Sequence, residues 1–220
     1  MTAAPRPVIC MVTDRRRSAP TEISLRAQQR ALIALIADAA AAGVDLIYIR
    51  EHDLTGQDLH GLVAEAVRTV RGSSTRLIVG DRADVALSAG ADGVHLPALG
   101  PPVARMRAWG PAGWLIGRSA HSPVELDAAT EADYVIFGTV FPTASKPGVV
   151  AQGAGALAEA VRRVGRPVLA IGGVTAERAR ECASAGAAGV AAISLFMPHA
   201  PGGMNAAAAV RMLRESFSAD

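Results

Sequence analysis

Eight short apolar runs, at residues 8–12, 46–49, 77–79, 93–96, 114–116, 134–137, 168–171 and 190–193, recur along this chain with helical stretches between them. Each run has the length of a strand, and all but the fourth, which holds His95, are apolar throughout rather than alternating, as suits strands buried on both faces. The stretch at 25–42 shows the other period: Leu25, Leu32, Ile36 and Ala39 fall on one helical face, and Gly43 then supplies a left-handed stop. Strand and helix in strict alternation predict a parallel sheet, and right-handed crossovers close eight strands into a single (β/α)8 TIM barrel. An open doubly wound sheet is the competing arrangement, but nothing in it calls for eight strands.

The 220 residues suffice for one such barrel, which takes about 200–250. Half of them are hydrophobic and only 4% aromatic, so the core must be built from Val, Ile, Leu and Ala. No linker or low-complexity tract divides the chain, so residues 1–220 read as one domain, with 1–7 as a flexible N-terminal arm. A weak repeat supports the barrel. Ala42-Gly43-Val44-Asp45, Ala89-Gly90-Ala91-Asp92, Glu131-Ala132-Asp133 and Ala185-Gly186-Ala187-Ala188 precede the second, fourth, sixth and eighth runs, as quarter-barrel duplication would produce.

The charge balance is +2, and the arginines are scattered, which argues against a nucleic-acid partner. The one cluster, Arg15-Arg16-Arg17, reads as a solvated or substrate-side loop after the first strand. Cys10 and Cys182 have no metal-ligand or disulfide spacing and read as core thiols. No apolar run reaches the ~18 residues of a membrane span, and the start does not resemble a secretion signal. A cytoplasmic location is the expectation.

In a barrel the chemistry lies at the C-terminal ends of the strands. That rule selects Arg50 and His52, Asp81, Ser119 and His121, the segment 138–155, Gly172-Gly173 and Ile193-Ser194. The glycine pair is the sharpest signal. It allows close backbone approach, and Thr175 can cap a helix whose first amides favour an anion. With Ile193-Ser194 it would grip a phosphate, the alternative being an ordinary glycine turn. Lys146, the only lysine, lies in a polar loop with Thr143 and Ser145. It is either a point charge for a phosphate or carboxylate, or a solvated side chain. His121 suits proton transfer near neutral pH, unless it merely begins a helix. His95 lies within a strand and reads as core. Asp81 could serve Mg2+, but Asp92 precedes its strand at the wrong end, Asp84 turns into a helix, and the loop after the fourth strand has no carboxylate. No metal is therefore expected.

These segments, taken in order, resemble the thiamine phosphate synthase/TenI superfamily over nearly the whole chain. The resemblance is carried by Ile49-Arg50-Glu51, the run from Asp81 to Leu87, Gly93-Val94-His95-Leu96, Gly117-Arg118-Ser119-Ala120-His121-Ser122, the run from Asp133 to Gly138, Phe141-Pro142-Thr143, Lys146-Pro147-Gly148 and Ala170-Ile171-Gly172-Gly173-Val174. It implies a TIM barrel and a small phosphorylated thiazole ligand, with a homodimer as a possible assembly. Two branches compete. The synthase joins hydroxymethylpyrimidine diphosphate to a thiazole phosphate, with Mg2+. Its strand-two motif resembles Gln-x-Arg-x-Lys where this chain has Tyr48, Arg50 and His52. Its strand-three motif begins Asn-Asp where this chain has Gly80-Asp81, and its strand-four acidic ligand is missing. These departures turn the expectation to the TenI branch, a metal-independent thiazole tautomerase and thus an isomerase. That resemblance makes His121 the acid/base. It places the phosphate on Gly172, Gly173, Ile193 and Ser194, lines the ligand with Thr143, Ser145 and Lys146, and adds Arg50, Asp81 and Ser119 as further contacts. The synthase, and a barrel that binds without turnover, are the alternatives.

Overall fold

A computed structural model describes residues 6–143, 148–197, 199–200 and 202–218. Eight parallel strands form a closed barrel in sequence order. They are β1 (Val8–Val12), β2 (Leu46–Ile49), β3 (Arg76–Gly80), β4 (Gly93–Leu96), β5 (Leu115–Ala120), β6 (Tyr134–Gly138), β7 (Val168–Ile171) and β8 (Gly189–Ala192). The helices are α1 (Arg15–Ser18), α2 (Leu25–Ala41), α3 (Gly56–Val70), α4 (Ala83–Ala89), α5 (Val103–Trp109), α6 (Pro123–Asp127), α7 (Gly153–Val164), α8 (Ala176–Ser184) and α9 (Ala206–Ser218), with a 3-10 turn at Ser194–Phe196. No helix among the described residues is long and apolar enough to cross a membrane.

The helical face expected at 25–42 is the one that packs: Leu32, Ile36 and Ala39 are buried, and Ser24 caps α2 by accepting the Ala27 amide at 3.2 Å. Outward-facing strand residues such as Ile47, Val79, Val94 and Ile116 join these helices in one apolar layer. Inward-facing residues, among them Cys10, Val12, Tyr48, Ile78, Tyr134 and Leu169, fill the barrel. Burial raises both thiols, Cys10 and Cys182, to about 12, so neither is a reactive thiolate near neutral pH.

The quarter repeat has a structural reason. Asp45, Asp92 and Asp133 each accept the amide of a residue on the preceding strand: Ile9, Leu77 and Ile116, at 2.8, 2.7 and 2.7 Å. Each also pairs with an arginine at the bottom of the barrel: Arg214, Arg76 and Arg107. Asp92 is therefore a strut at the closed end. Of the expected N-terminal arm, residues 1–5 lie outside the described residues. Arg6 pairs with Asp45 at 3.3 Å, and the Pro7 carbonyl accepts from Arg214.

One boundary differs from the sequence reading in a way that matters for the site. The fifth strand does not end near 116 but continues to Ala120. Gly117 makes this possible, because an added Cβ would sit 2.1 Å from Tyr134 Cζ and 2.5 Å from His95 Nδ1. Only glycine lets those rings share the barrel interior, and Ser119, two residues on, follows them inward.

Candidate functional site

The C-terminal ends of the strands surround a cavity of about 390 Å3 lined by Asp14, Arg17, Tyr48, Arg50, His52, Asp81, Ser119 and His121, with Ile171 and Ile193 at its floor. A smaller cavity of about 70 Å3 adjoins it, lined by Thr139, Thr143, Gly172, Gly173, Val174, Ser194 and Leu195, and sharing Ile171 and Ile193. The structure thus brings Arg50, Asp81, Ser119 and His121 to one cavity and Thr143, Gly172, Gly173 and Ser194 to the other. Ile193 touches both. Ser145 and Lys146 lie outside the described residues, in the segment that follows Thr143.

The glycine pair owes its shape to backbone geometry. Gly172 and Gly173 have φ of 104° and 63°, values open to glycine at little cost. A Cβ on Gly172 would fall 2.6 Å from Thr139 Cγ2, and one on Gly173 only 2.4 Å from the Pro142 carbonyl oxygen. Thr175 then caps α8, its hydroxyl accepting the Arg178 amide at 3.3 Å. Arg178 returns to the loop, donating to the Gly173 carbonyl at 2.7 Å, and its guanidinium lies 5.3 Å above the Phe141 ring. A helix start and two close-packed glycines, locked by an arginine, make a small pocket suited to a phosphate.

Behind Ser119, which lines the larger cavity, lies a buried histidine. His95 is 1% exposed. Its Nδ1 is 3.1 Å from the Tyr134 hydroxyl and its Nε2 is 2.9 Å from Ser119 Oγ. Burial drives its pKa down to about 3, so the ring is neutral at physiological pH. His95 is core, as its strand position suggests, yet it orients a hydroxyl that faces the cavity. At the other side, the His121 amide donates to Glu125 at 2.6 Å. Its Nδ1 hydrogen-bonds the Gly138 carbonyl, which also accepts from Gln152 at 3.1 Å. A carbonyl can only accept, so Nδ1 carries the proton and Nε2 is the ring atom left for a ligand.

Asp81 sits at φ 60° and is half-exposed, with His52 Nδ1 3.6 Å from its carboxylate. In the loop after β4, the carbonyls of Ala98, Gly100 and Pro101 accept from Arg118 at 2.8, 3.0 and 2.8 Å. Those oxygens are therefore committed to a guanidinium. Asp84 is an exposed partner of Arg82, away from the cavity. No group of three potential metal-ligating side chains exists among the described residues.

The arginine run divides in a way its composition cannot show. Arg15 is buried against Glu51 and Asp53, Arg16 pairs with Asp53, and Arg17 lines the cavity. Asp14 and Tyr48 were not among the residues expected at the site, and Arg17 was covered only by the reading of the arginine run as a solvated or substrate-side loop. The rule that strand ends carry function would have admitted Asp14, the second residue after β1. His52 was admitted by it but had nothing else to single it out.

Comparison with known proteins agrees with this geometry. A sequence profile described as thiamine monophosphate synthase matches residues 11–196. The thiamine-phosphate synthase of Methanoculleus marisnigri is 43% identical over 188 residues, covering 82% of this chain and 85% of the relative. That of Chlorobium luteolum is 36% identical over 197 residues, covering 88% and 87%. The solved thiamine phosphate pyrophosphorylase of Pyrococcus furiosus superposes with a TM-score of 0.77 at 28% identity, over 96% of this chain and 95% of that one. These findings overturn the tautomerase expectation, and with it the isomerase class: relatives this similar are synthases, which are transferases. The expectation counted lost contacts at Tyr48, His52, Gly80 and the β4 loop. It could not see that Arg17 and Asp14 enter the same cavity from the first loop, so that the mouth stays polar.

Proposed function

Because the chain belongs to the thiamine monophosphate synthase family, with the phosphorylated small-molecule substrates that implies, we propose that it joins hydroxymethylpyrimidine diphosphate to a thiazole phosphate and releases pyrophosphate. The observation that carries this reading is the pair of adjoining cavities with Ile171 and Ile193 common to both. The glycine pocket takes the thiazole phosphate, and the larger, arginine-bearing mouth takes the pyrimidine diphosphate. Ligands seated in both would meet over the shared isoleucines. There the bond between the pyrimidine methylene carbon and its diphosphate oxygen breaks, the oxygen keeping the electron pair, and the thiazole nitrogen forms the new bond to that carbon.

The difficulty in such a step is the charge that builds on the leaving group, so fixed cations beside it lower the barrier. Arg50 supplies one, and His52 supplies another when protonated. Ser119, held by neutral His95, and the Nε2 of His121 offer hydrogen bonds that orient the pyrimidine. The donor set fits a divalent ion that arrives with the diphosphate: Asp81 is a half-exposed hard oxygen ligand at the mouth, and Mg2+ commonly takes one or two carboxylates together with substrate phosphates. Bound there, Mg2+ would neutralise charge on the departing diphosphate.

With both substrates and Mg2+ present, Arg50→Ala and Asp81→Asn are each expected to lower kcat on the order of 10²-fold, measured as pyrophosphate released. Release unchanged in both variants would contradict the assignment of the diphosphate to this mouth.

A further inference from the structure

The proposed reaction assigns no role to the buried charges behind the mouth, yet Glu51, Arg15 and Asp53 are joined there by a dense set of hydrogen bonds. Glu51 is 5% exposed and accepts three hydrogen bonds: from the Thr13 hydroxyl at 2.8 Å, the Arg15 amide at 3.0 Å and the Arg15 guanidinium at 2.9 Å. Thr13 Oγ1 in turn accepts the Arg50 amide at 3.0 Å, and Arg15 makes a two-pronged pair with Asp53 at 2.5 Å on each arm. Burial raises the Glu51 carboxyl, while its hydrogen bonds and ion pair with Arg15 oppose this; Asp53 is pulled down to about 2, chiefly by its hydrogen bond with Arg15. An ion pair that merely stabilised the fold could sit anywhere, and a buried one contributes little net stability. This one joins the loop after β1 to the loop after β2.

The alternation along both loops gives the joint its consequence. Thr13 and Arg15 point toward Glu51, while Asp14 and Arg17 face the cavity. Arg17 belongs to two spaces. It lines the mouth, and it also lines an outer cleft of about 470 Å3 that runs over the glycine loop past Thr143, Gly173, Arg178, Ser194 and His199. The cleft contains cationic or neutral groups and no carboxylate among its described lining residues. The mouth contains two carboxylates, Asp14 and Asp81, against Arg17, Arg50, His52 and His121. Asp14 lies 3.2 Å from Arg17 Nε and caps the short helix that carries it, which fixes the stem of the fork.

We propose that Arg17 binds anions in both subsites, facing the diphosphate on one side and the second substrate's phosphate on the other, and that Glu51 is a positioning residue that holds it there through Arg15. The assignment rests on the synthase reading for the identity of the two anions, and on geometry alone for the role of Arg17. It explains why a helix of only four residues is tied down by a buried ion pair: its last turn presents a charge between two ligands.

The test is calorimetric titration of the full chain with inorganic pyrophosphate, with Mg2+ present, and separately with inorganic phosphate. Arg17→Ala is expected to weaken both titrations about tenfold or more, and Arg17→Lys to recover only part, because an ammonium lacks the planar fork. Glu51→Gln is expected to lower pyrophosphate affinity by a similar factor, and the double variant to be no weaker than the weaker single one, as coupled residues behave. Should Glu51→Gln fail to fold, the exposed Arg17 variants still decide the matter. Wild-type affinity for pyrophosphate in Arg17→Ala, or no pyrophosphate binding by the native protein, overturns the proposal. A native protein that binds pyrophosphate through Arg17 but condenses nothing would sink the synthase reading and leave Arg17 in its role.

Discussion

Gly173→Ala is expected to leave a folded barrel that binds its phosphate ligand poorly and turns over on the order of 10²-fold more slowly. The new methyl would lie 2.4 Å from the Pro142 carbonyl oxygen, and 3.0 Å from both Phe141 Cβ and a terminal nitrogen of Arg178. The flexible arginine can move aside, but the carbonyl belongs to the backbone of the loop after β6 and cannot. At φ 63° the residue also resists a side chain. The loop, or the turn itself, must shift by about an ångström, and backbone amides aimed at a phosphate lose their aim over that distance. Gly61→Ala is the control: it lies in α3 with nothing within 4 Å of the added carbon, and alanine there favours the helix by about 1 kcal/mol. Titration with inorganic phosphate and the KM for the thiazole phosphate report the effect. A folded Gly173→Ala protein with native phosphate affinity would mean that the anion sits elsewhere.

Acidification should cost the native protein stability well before its carboxylates titrate. His95 stays neutral in the folded barrel down to about pH 3 because burial opposes its charge, whereas in the unfolded chain it takes up a proton near its usual value of about 6.5. Between those limits the unfolded state binds more protons, so stability falls as pH falls, by up to about 1.4 kcal/mol per unit from this one group. The loss begins below about pH 6.5 and is complete near pH 3. Glu51, whose carboxyl is raised by burial, works in the opposite sense at the acid end. The informative quantity is therefore a difference. His95→Gln should be less stable than the native chain near pH 7.5, since the Tyr134 and Ser119 partners are disturbed. The gap should close as pH drops toward 4.5. Urea unfolding at several pH values measures this. A gap that holds constant from pH 7.5 to 4.5 would show that His95 is not the buried neutral group described.

The barrel could be read from the chain because its determinants are local and repeated. Most strands are runs of apolar residues, the long helices carry their own apolar faces, and the Asp of three repeat segments precedes a strand and ties it to its neighbour. Gly172-Gly173 was legible for a related reason: two glycines at a strand end before Thr175 constrain the backbone, whatever surrounds them. The mouth was harder, because its chemistry depends on which side of a loop a residue faces. Arg15, Arg16 and Arg17 are equivalent by composition. Only the fold shows one buried on Glu51, one paired at the surface with Asp53 and one between two cavities. The length of β5 was likewise hidden, since Gly117-Arg118-Ser119 looks like a turn until Tyr134 and His95 are seen packed against Gly117.

The misjudged activity has the same origin. A resemblance is read position by position, and the departures at positions 48, 52 and 80 do not reveal what replaces those side chains in space. A polar mouth can be assembled from different loops, and here the loop after β1 contributes Asp14 and Arg17.

The most direct test supplies the native protein with hydroxymethylpyrimidine diphosphate, a thiazole phosphate and Mg2+, and measures thiamine phosphate and pyrophosphate together. The two are expected to appear in equal amounts, and, beyond slow hydrolysis, neither is expected when the thiazole phosphate is withheld. Failure to form any thiamine phosphate, with both substrates shown to bind, would contradict it.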